Sequence, residues 1–321
     1  MSNQRILYIF TRTPLHVGAG SSVGAIDQPV VRERHTGFPV IPASSLKGTF
    51  ADLWNDDLLV EESEPGKTKK VRVNSAGERS DAGWLFGSDS DKHAAAGALQ
   101  FSEAKLLAFP IRSARGSFAW ITCPLMLQRA VRDGVLESAL LDKLNEPEDG
   151  KAIFDAGNES KLAIGSEIVL EEYTFGNSPW LGVTQLGEAV RSLFDGDPLW
   201  KEVESRLVVL SNGMMSYFAQ NACEVAQHVR INDETGTAEG GALFNQENVP
   251  SETLFYSILH AFDERSADKD NNKGRKGGEA FDAFGNKVNG GVFQFGGDAS
   301  TGLGYCGISV SMKKVEKGEN A

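Results

Sequence analysis

Towards the C-terminal end, four glycines fall within nine residues, Gly296-Gly297-Asp298-Ala299-Ser300-Thr301-Gly302-Leu303-Gly304, between two segments that read as strands, Gly291–Phe295 and Tyr305–Lys314. So glycine-dense a stretch beside strands is either a tight turn or a surface that admits another backbone or a ligand. A P-loop is excluded, because Leu303-Gly304 stands where lysine and a hydroxyl residue should follow Gly297-x-x-x-x-Gly302. Two readings remain, a plain turn and a nest of backbone N–H groups suited to a phosphodiester. A second glycine-rich loop, His16–Asp27, follows the strand-like Ile6–Thr11, which Pro14 ends. Its Gly18-x-Gly20-x-x-x-Gly24 is no dinucleotide fingerprint: the spacing is wrong, Pro29 blocks a helix, and no acid follows at the required distance.

Around these loops the chain has 321 residues, 40% of them hydrophobic, enough to bury a core without staples. Cys123, Cys223 and Cys306 are isolated, so neither a disulfide framework nor a zinc ribbon is supported. No apolar run reaches the roughly 18–20 residues of a membrane helix, and the first residues lack a signal peptide's apolar core. These features point to the cytoplasm. The net charge of −12 argues globally against a nucleic-acid binder, yet residues 104–132 hold Lys105, Arg112, Arg115, Arg129 and Arg132 and no acid. That window of +5 is expected to form a basic groove.

Strands interspersed with helices predict an α+β fold. A helix is expected from Ser44 or Ser45 as N-cap, with Leu46, Phe50, Leu53 and Trp54 on one apolar face. Leu99–Phe109 and Ser117–Leu127 read as paired strands, Cys223–Ile231 as another, and Lys161–Phe175 as a projecting hairpin. Residues 55–95, 145–178 and 263–288 read as insertions in one domain spanning 1–321.

Asp27 lies in a loop of small residues, eleven positions after His16. A carboxylate there can hold a divalent ion or orient a 2′-hydroxyl for attack on the neighbouring phosphate; it can equally be a loop aspartate satisfied by backbone amides. Lys47, in the first turn of the expected helix, opposes the dipole and would suit a bound phosphate; it can also be a solvated lysine. On Cys223–Ile231, alternation puts Glu224, His228 and Arg230 on one face, as an RNA platform or a solvated edge. The five histidines, His16, His35, His93, His228 and His260, are too scattered to nominate an acid–base pair.

Three stretches together carry a resemblance: Thr13–Gly20 continuing through Ala25-Ile26-Asp27-Gln28-Pro29-Val30-Val31-Arg32-Glu33, then Pro39–Gly48, then Gly296–Gly304. They resemble the RAMP superfamily of CRISPR proteins. Phe86-Gly87, Pro110-Ile111-Arg112-Ser113 and Phe118–Leu125 narrow the likeness to the backbone subunits of type III-B (Cmr) effectors. The resemblance implies a modified RRM-like, ferredoxin-like core with palm and thumb insertions. It implies several copies stacked along a guide RNA beside other Cmr subunits. It also implies an RNA-guided endoribonuclease that cuts target RNA with a divalent metal, magnesium or manganese. Asp27 would then be the catalytic residue and metal ligand, with His16 as a second catalytic candidate. Ser44, Ser45, Lys47, Arg112, Arg115, Gly297, Thr301, Gly302 and Gly304 would contact RNA, with Glu224, His228 and Arg230 behind the site. A non-catalytic RNA-binding backbone subunit and a stand-alone guide-processing endoribonuclease are the alternatives.

Overall fold

The computed structural model describes residues 4–20, 24–56, 58–73, 80–88, 94–157, 160–232, 234–265 and 273–311. The chain runs through β1 (Gln4–Thr11), β2 (Val40–Ile41), α1 (Ala43–Asp52), β3 (Leu59–Glu64), β4 (Lys67–Val71), α2 (Asp81–Phe86), β5 (Leu99–Phe101), β6 (Ala104–Ser113), β7 (Ser117–Thr122) and α3 (Pro124–Arg132). It continues through β8 (Lys151–Ala152), β9 (Glu167–Leu170), β10 (Tyr173–Asn177), α4 (Val183–Arg191), β11 (Leu207–Val209), α5 (Asn212–Asn221), β12 (Glu224–Ile231), β13 (Ala238–Asn248), β14 (Leu254–Ala261), α6 (Gly277–Val288), β15 (Val292–Gln294) and β16 (Tyr305–Val310).

The heart of the main sheet has the order β16-β1-β14-β6, each neighbour antiparallel. With α1 between β1 and β6, and α6 between β14 and β16, this is the 4-1-3-2 order of a ferredoxin-like fold. β1 is apolar from Ile6 to Phe10 because both its faces are covered. Leu7 and Ile9 pack with Leu46 and Phe50 of α1 and Phe284 of α6, whereas Ile6, Tyr8 and Phe10 pack with Trp120, Leu186 and Trp200 on the opposite side.

Several expected elements differ. Lys161–Phe175 does not project: β9 joins β6 and β10, and Ile168, Leu170 and Phe175 are buried. A hairpin that does stand apart is β12–β13, a two-stranded sheet of its own with Val225, Val229, Ile231 and Leu243 exposed. Within 55–95, β3 and β4 form a separate hairpin, but α2 buries Trp84, Leu85 and Phe86 in the main core. Within 263–288, α6 buries Ala280, Phe281, Phe284 and Val288. Pro42, not a serine, is the N-cap of α1; Ser44 and Ser45 fall inside the first turn and no side chain caps it.

Antiparallel pairing decides where the loops meet. Phe10 is opposite Leu254 and Thr11 opposite Cys306, so the end of β1 lies beside the starts of β14 and β16. The loop after β1, the end of β13 and the glycine loop before β16 are thereby gathered at one edge of the sheet.

Candidate active site

His16 stands at the centre of this junction. The residue is 7% exposed, Nδ1–H donates to the Glu247 carbonyl at 2.7 Å, and Nε2 lies beneath Gly18. The His16 carbonyl accepts from Gly297 N–H at 2.9 Å. The contact is so close that a Cβ on Gly296, at φ +78°, would lie 2.0 Å from the His16 oxygen. The catalytic expectation for His16 is therefore corrected: a buried, clamped ring serves as a strut between β13 and the glycine loop.

Several amides of the glycine loop are already committed. Gly297 N–H goes to His16, Thr301 N–H to the Asp298 carbonyl, Gly302 N–H to Ala299, and Gly304 N–H to Pro14. The Thr301 hydroxyl also donates to the Asp298 carbonyl. The expected RNA contacts through the backbone amides of Gly297, Thr301, Gly302 and Gly304 are corrected for this reason, since those groups are already committed.

Asp27 is exposed, and its place is fixed by one residue. Asn245 N–H donates to Asp27 Oδ2 at 2.9 Å, while Asp27 N–H donates to Asn245 Oδ1 at 2.7 Å. The Asn245 amide also donates to the Ala25 carbonyl at 3.0 Å, and Gln28 N–H to the Asn245 carbonyl at 3.1 Å. The loop thus runs along the free edge of β13 as a short extra strand, with Gln28 paired to Gln246. Asp27 Oδ1 makes no hydrogen bond among the described residues, so a positioned carboxylate offers one uncommitted oxygen to the outside.

The foundation beneath is charged and buried. Glu247, 3% exposed, takes Arg32 Nη2 on Oε1 at 2.5 Å and Val30 N–H on Oε2 at 3.0 Å. Arg32 also donates to the carbonyls of Gly37 and Ala219 at 2.7 Å. Burial alone would lower the Arg32 guanidinium, but its hydrogen bonds to the Cys223 sulfur and Glu247 and the charge of Glu247 offset it, and the guanidinium is raised above its ordinary value. Burial pushes the Cys223 thiol up to about 11, so it stays protonated. Gln246 Nε2 donates to Asp298 Oδ2 at 2.6 Å, which ties β13 to the glycine loop. Arg32, Asn245, Gln246 and Glu247 received no role from the sequence. The signal for the three on β13 was a polar run, Asn245-Gln246-Glu247-Asn248, with apolar neighbours on both sides.

Lys47 and Ser44 are exposed on α1, whose Thr49 hydroxyl reaches the Gln294 carbonyl at the entry of the glycine loop. The basic window is not a groove. Lys105 and Arg132 pair with Asp133, Arg112 with Glu171, and Arg129 with Glu33, while Arg115 donates to the Ala163 carbonyl. These acids come from outside the window, and Arg115 meets a backbone carbonyl, so the window carries less free charge than its sequence suggests, although the Arg112 side chain stays 70% exposed. Arg112 lines a cleft of about 410 Å³ with Glu171, Glu224 and Glu252. Burial pushes the carboxyls of Glu224 and Glu252 up. Glu224 thus belongs to that cleft. His228 stacks on Phe244, and a register shift between Val229 and Ile231 interrupts the alternation at Arg230, whose side chain lies outside the described residues, as does His93.

Among the described residues no three of His, Cys, Asp or Glu gather as a ligand set. The donors do not fit an ion held by protein alone. The uncommitted Asp27 oxygen is a hard donor of the kind that a magnesium or manganese ion would take.

A family profile described as "RAMP superfamily" matches residues 9–307. The chain belongs to the RAMP superfamily. It is 32% identical over 311 residues to the CRISPR system Cmr endoribonuclease Cmr4 of Pyrococcus furiosus, covering 96% of this chain and 95% of that protein, and so is a Cmr4-family member. It is 26% identical over 159 residues to the Cms endoribonuclease Csm3 of Streptococcus thermophilus, across 44% of this chain and 69% of that one. Among solved structures, oligomeric Cmr4 from Pyrococcus furiosus superposes with a TM-score of 0.66 at 23% identity, covering 96% and 97% of the two chains. A chain of the type III-B Cmr-beta complex bound to cognate target RNA gives 0.64 at 19% identity, covering 96% of each. The α+β RAMP fold expected from the sequence is the fold observed. No helix among the described residues is long and apolar enough to cross a membrane.

Proposed function

We propose that this Cmr4-family chain is the repeating backbone subunit of a type III-B CRISPR effector and cuts target RNA beside Asp27. Copies line a guide RNA together with other Cmr subunits in the cytoplasm, and complementary target pairs with the guide. The observation that carries this reading is the two-sided grip of Asn245 on Asp27, which holds an exposed carboxylate in one place and leaves Oδ1 free. The relative's endoribonuclease name and the RNA-bound complex of similar fold support it.

The chemistry asks little of the protein. The target's 2′-hydroxyl attacks the adjacent phosphorus, the bond to the 5′-oxygen breaks, and a cyclic phosphate and a 5′-hydroxyl result. Asp27 Oδ1 accepts or orients the 2′-hydroxyl proton, and water protonates the leaving oxygen. A magnesium or manganese ion, with Asp27 as its protein ligand, would supply neutralisation of phosphate charge. A-form stacking holds the 2′-hydroxyl out of line, so one nucleotide must leave the stack. The exposed apolar hairpin β12–β13, with Val229 and Leu243 towards its tip, suits that wedge. Lys47, exposed on α1, would meet a guide phosphate.

An assembly of this chain with guide and complementary target tests the proposal. Wild type should cut at regular intervals, and an Asp27→Ala assembly should bind both RNAs and leave the target whole. Cutting at the same positions and rate by the variant would make this subunit a scaffold.

A further inference from the structure

We propose that Asp298 is a positioning residue for the cleavage: its carboxylate, acting through Gln246, holds β13 where Asn245 can present Asp27. This deepens the proposed function and rests on it. Asp298 stands at φ +60°, a left-handed setting that is uncommon outside glycine and that aspartate accepts more readily than most residues. Three donors converge on its carbonyl and keep it there: Thr301 N–H at 3.1 Å, the Thr301 hydroxyl at 2.9 Å and Leu303 N–H at 3.3 Å. The backbone is thus over-determined, which fixes the direction in which the side chain leaves the loop. Asp298 Oδ2 accepts a hydrogen bond from Gln246 Nε2 at 2.6 Å.

Gln246 is 1% exposed, and its Oε1 is enclosed without a partner among the described residues. An apolar side chain of similar size would leave no acceptor unmet, so stability alone does not call for an amide here. What the amide adds is the tie to Asp298, and its place on the strand gives that tie a consequence. Gln246 follows Asn245, the residue that grips Asp27. The ladder bonds on either side of it both belong to the Asp27 loop: Gln28 N–H donates to the Asn245 carbonyl at 3.1 Å, and Glu247 N–H to the Gln28 carbonyl at 2.9 Å. A twist of β13 at Gln246 would therefore carry Asp27 with it. As strands, β12 and β13 pair with each other and not with the main sheet, so the base of β13 depends on ties of this kind. The glycine loop can serve as the fixed end, because Gly297 N–H is held by the His16 carbonyl and Gly304 N–H by the Pro14 carbonyl.

The test compares Asp298→Gly, Asp298→Asn and Gln246→Leu. Glycine adopts a left-handed φ freely, so Asp298→Gly removes the tie without straining the loop, and its melting temperature should stay near that of wild type. Asparagine accepts the same setting and offers a carbonyl oxygen to Gln246, so Asp298→Asn should behave as wild type. Hydrogen exchange on the full-length chain, read by mass spectrometry, should be faster over residues 24–31 in Asp298→Gly and Gln246→Leu and unchanged in Asp298→Asn. In assembled complexes with guide and target, both tie-breaking variants should lower the maximal single-turnover rate roughly 10-fold, the low end for a hydrogen bond to a charged group, since Asp298 is exposed. The target concentration at half-maximal rate should not move. The double variant Asp298→Gly/Gln246→Leu should lose no more than either alone. Wild-type exchange over 24–31 in Asp298→Gly, a wild-type rate for it in a cleaving complex, or asparagine failing as glycine does overturns the positioning role. The exchange is read without RNA, so it can fail while Asp27 cleaves, and it can succeed should the wild-type complex leave its target whole.

Discussion

Replacing Asn245 by alanine should slow cleavage without weakening RNA binding. The substitution removes two side-chain hydrogen bonds, from Asp27 N–H at 2.7 Å and to the Ala25 carbonyl at 3.0 Å, and leaves the backbone bonds of Asn245 to Asp27 Oδ2 and Gln28 in place. A net hydrogen bond contributes about 0.5–1.5 kcal/mol, and this partly exposed pair belongs to the lower half, about 1–2 kcal/mol together. If that energy goes into holding the carboxylate ready, the single-turnover rate should fall roughly 5- to 30-fold, at about 1.4 kcal/mol per decade. Guide and target affinity, measured by filter binding, should not move, because Asn245 meets loop rather than phosphate. Placed in an Asp27→Ala background, Asn245→Ala should add nothing, since the two act through one group. A wild-type rate for Asn245→Ala, or a further loss in the double variant, would refute the claim that Asn245 works by positioning Asp27.

Lys47→Ala should weaken guide RNA binding and reduce the logarithmic salt slope by about 0.7, read from affinities at several salt concentrations. Gly302→Ala, at φ +88° with open space around its Cβ, should destabilise by about 1–2 kcal/mol from left-handed strain, while Gly296→Ala adds a clash 2.0 Å from the His16 carbonyl and should cost distinctly more, read by thermal unfolding. Asp133 is raised by burial but held below its ordinary value overall by hydrogen bonds from Lys105 and Tyr256; Glu33 is likewise raised by burial and lowered overall by Thr36 and Arg129. Carboxyls depressed in the folded state stabilise it above their unfolded values, near 4, and lose that contribution as pH falls through the folded values. The melting temperature should therefore drop on acidification below about pH 4, and Lys105→Met should flatten part of that drop.

How far the sequence reached depended on whether a feature was local. β1 was legible because six consecutive strand-forming residues, Ile6–Thr11, needed only a two-sided core, and α1 because Leu46 and Phe50 recur at helical spacing. Asp27 stood out as a carboxylate among small residues, but its partner Asn245 lies 218 positions away, and no local pattern announces such a pairing. Alternation found β12 without revealing which face would be left bare; burial in Lys161–Phe175 and exposure in Val225 and Val229 reversed the expected choice of projecting hairpin. The run of cations from Lys105 to Arg132 misled for the same reason, since Glu33 and Glu171 reach it only in the fold. The amides of Gly297 and Gly304 looked open because the His16 and Pro14 carbonyls that take them come from the other end of the chain.

The central claim is that a carboxylate at position 27, fixed by Asn245, performs the cleavage. The most direct measurement is the single-turnover rate of target cleavage by assembled complexes containing wild type or Asp27→Asn. Asparagine keeps shape and volume but can neither accept the 2′-hydroxyl proton nor neutralise a cation. The rate should fall about 10²- to 10⁴-fold, with guide and target binding unchanged. An Asp27→Asn complex that cuts the same bonds within a few-fold of the wild-type rate would contradict the account.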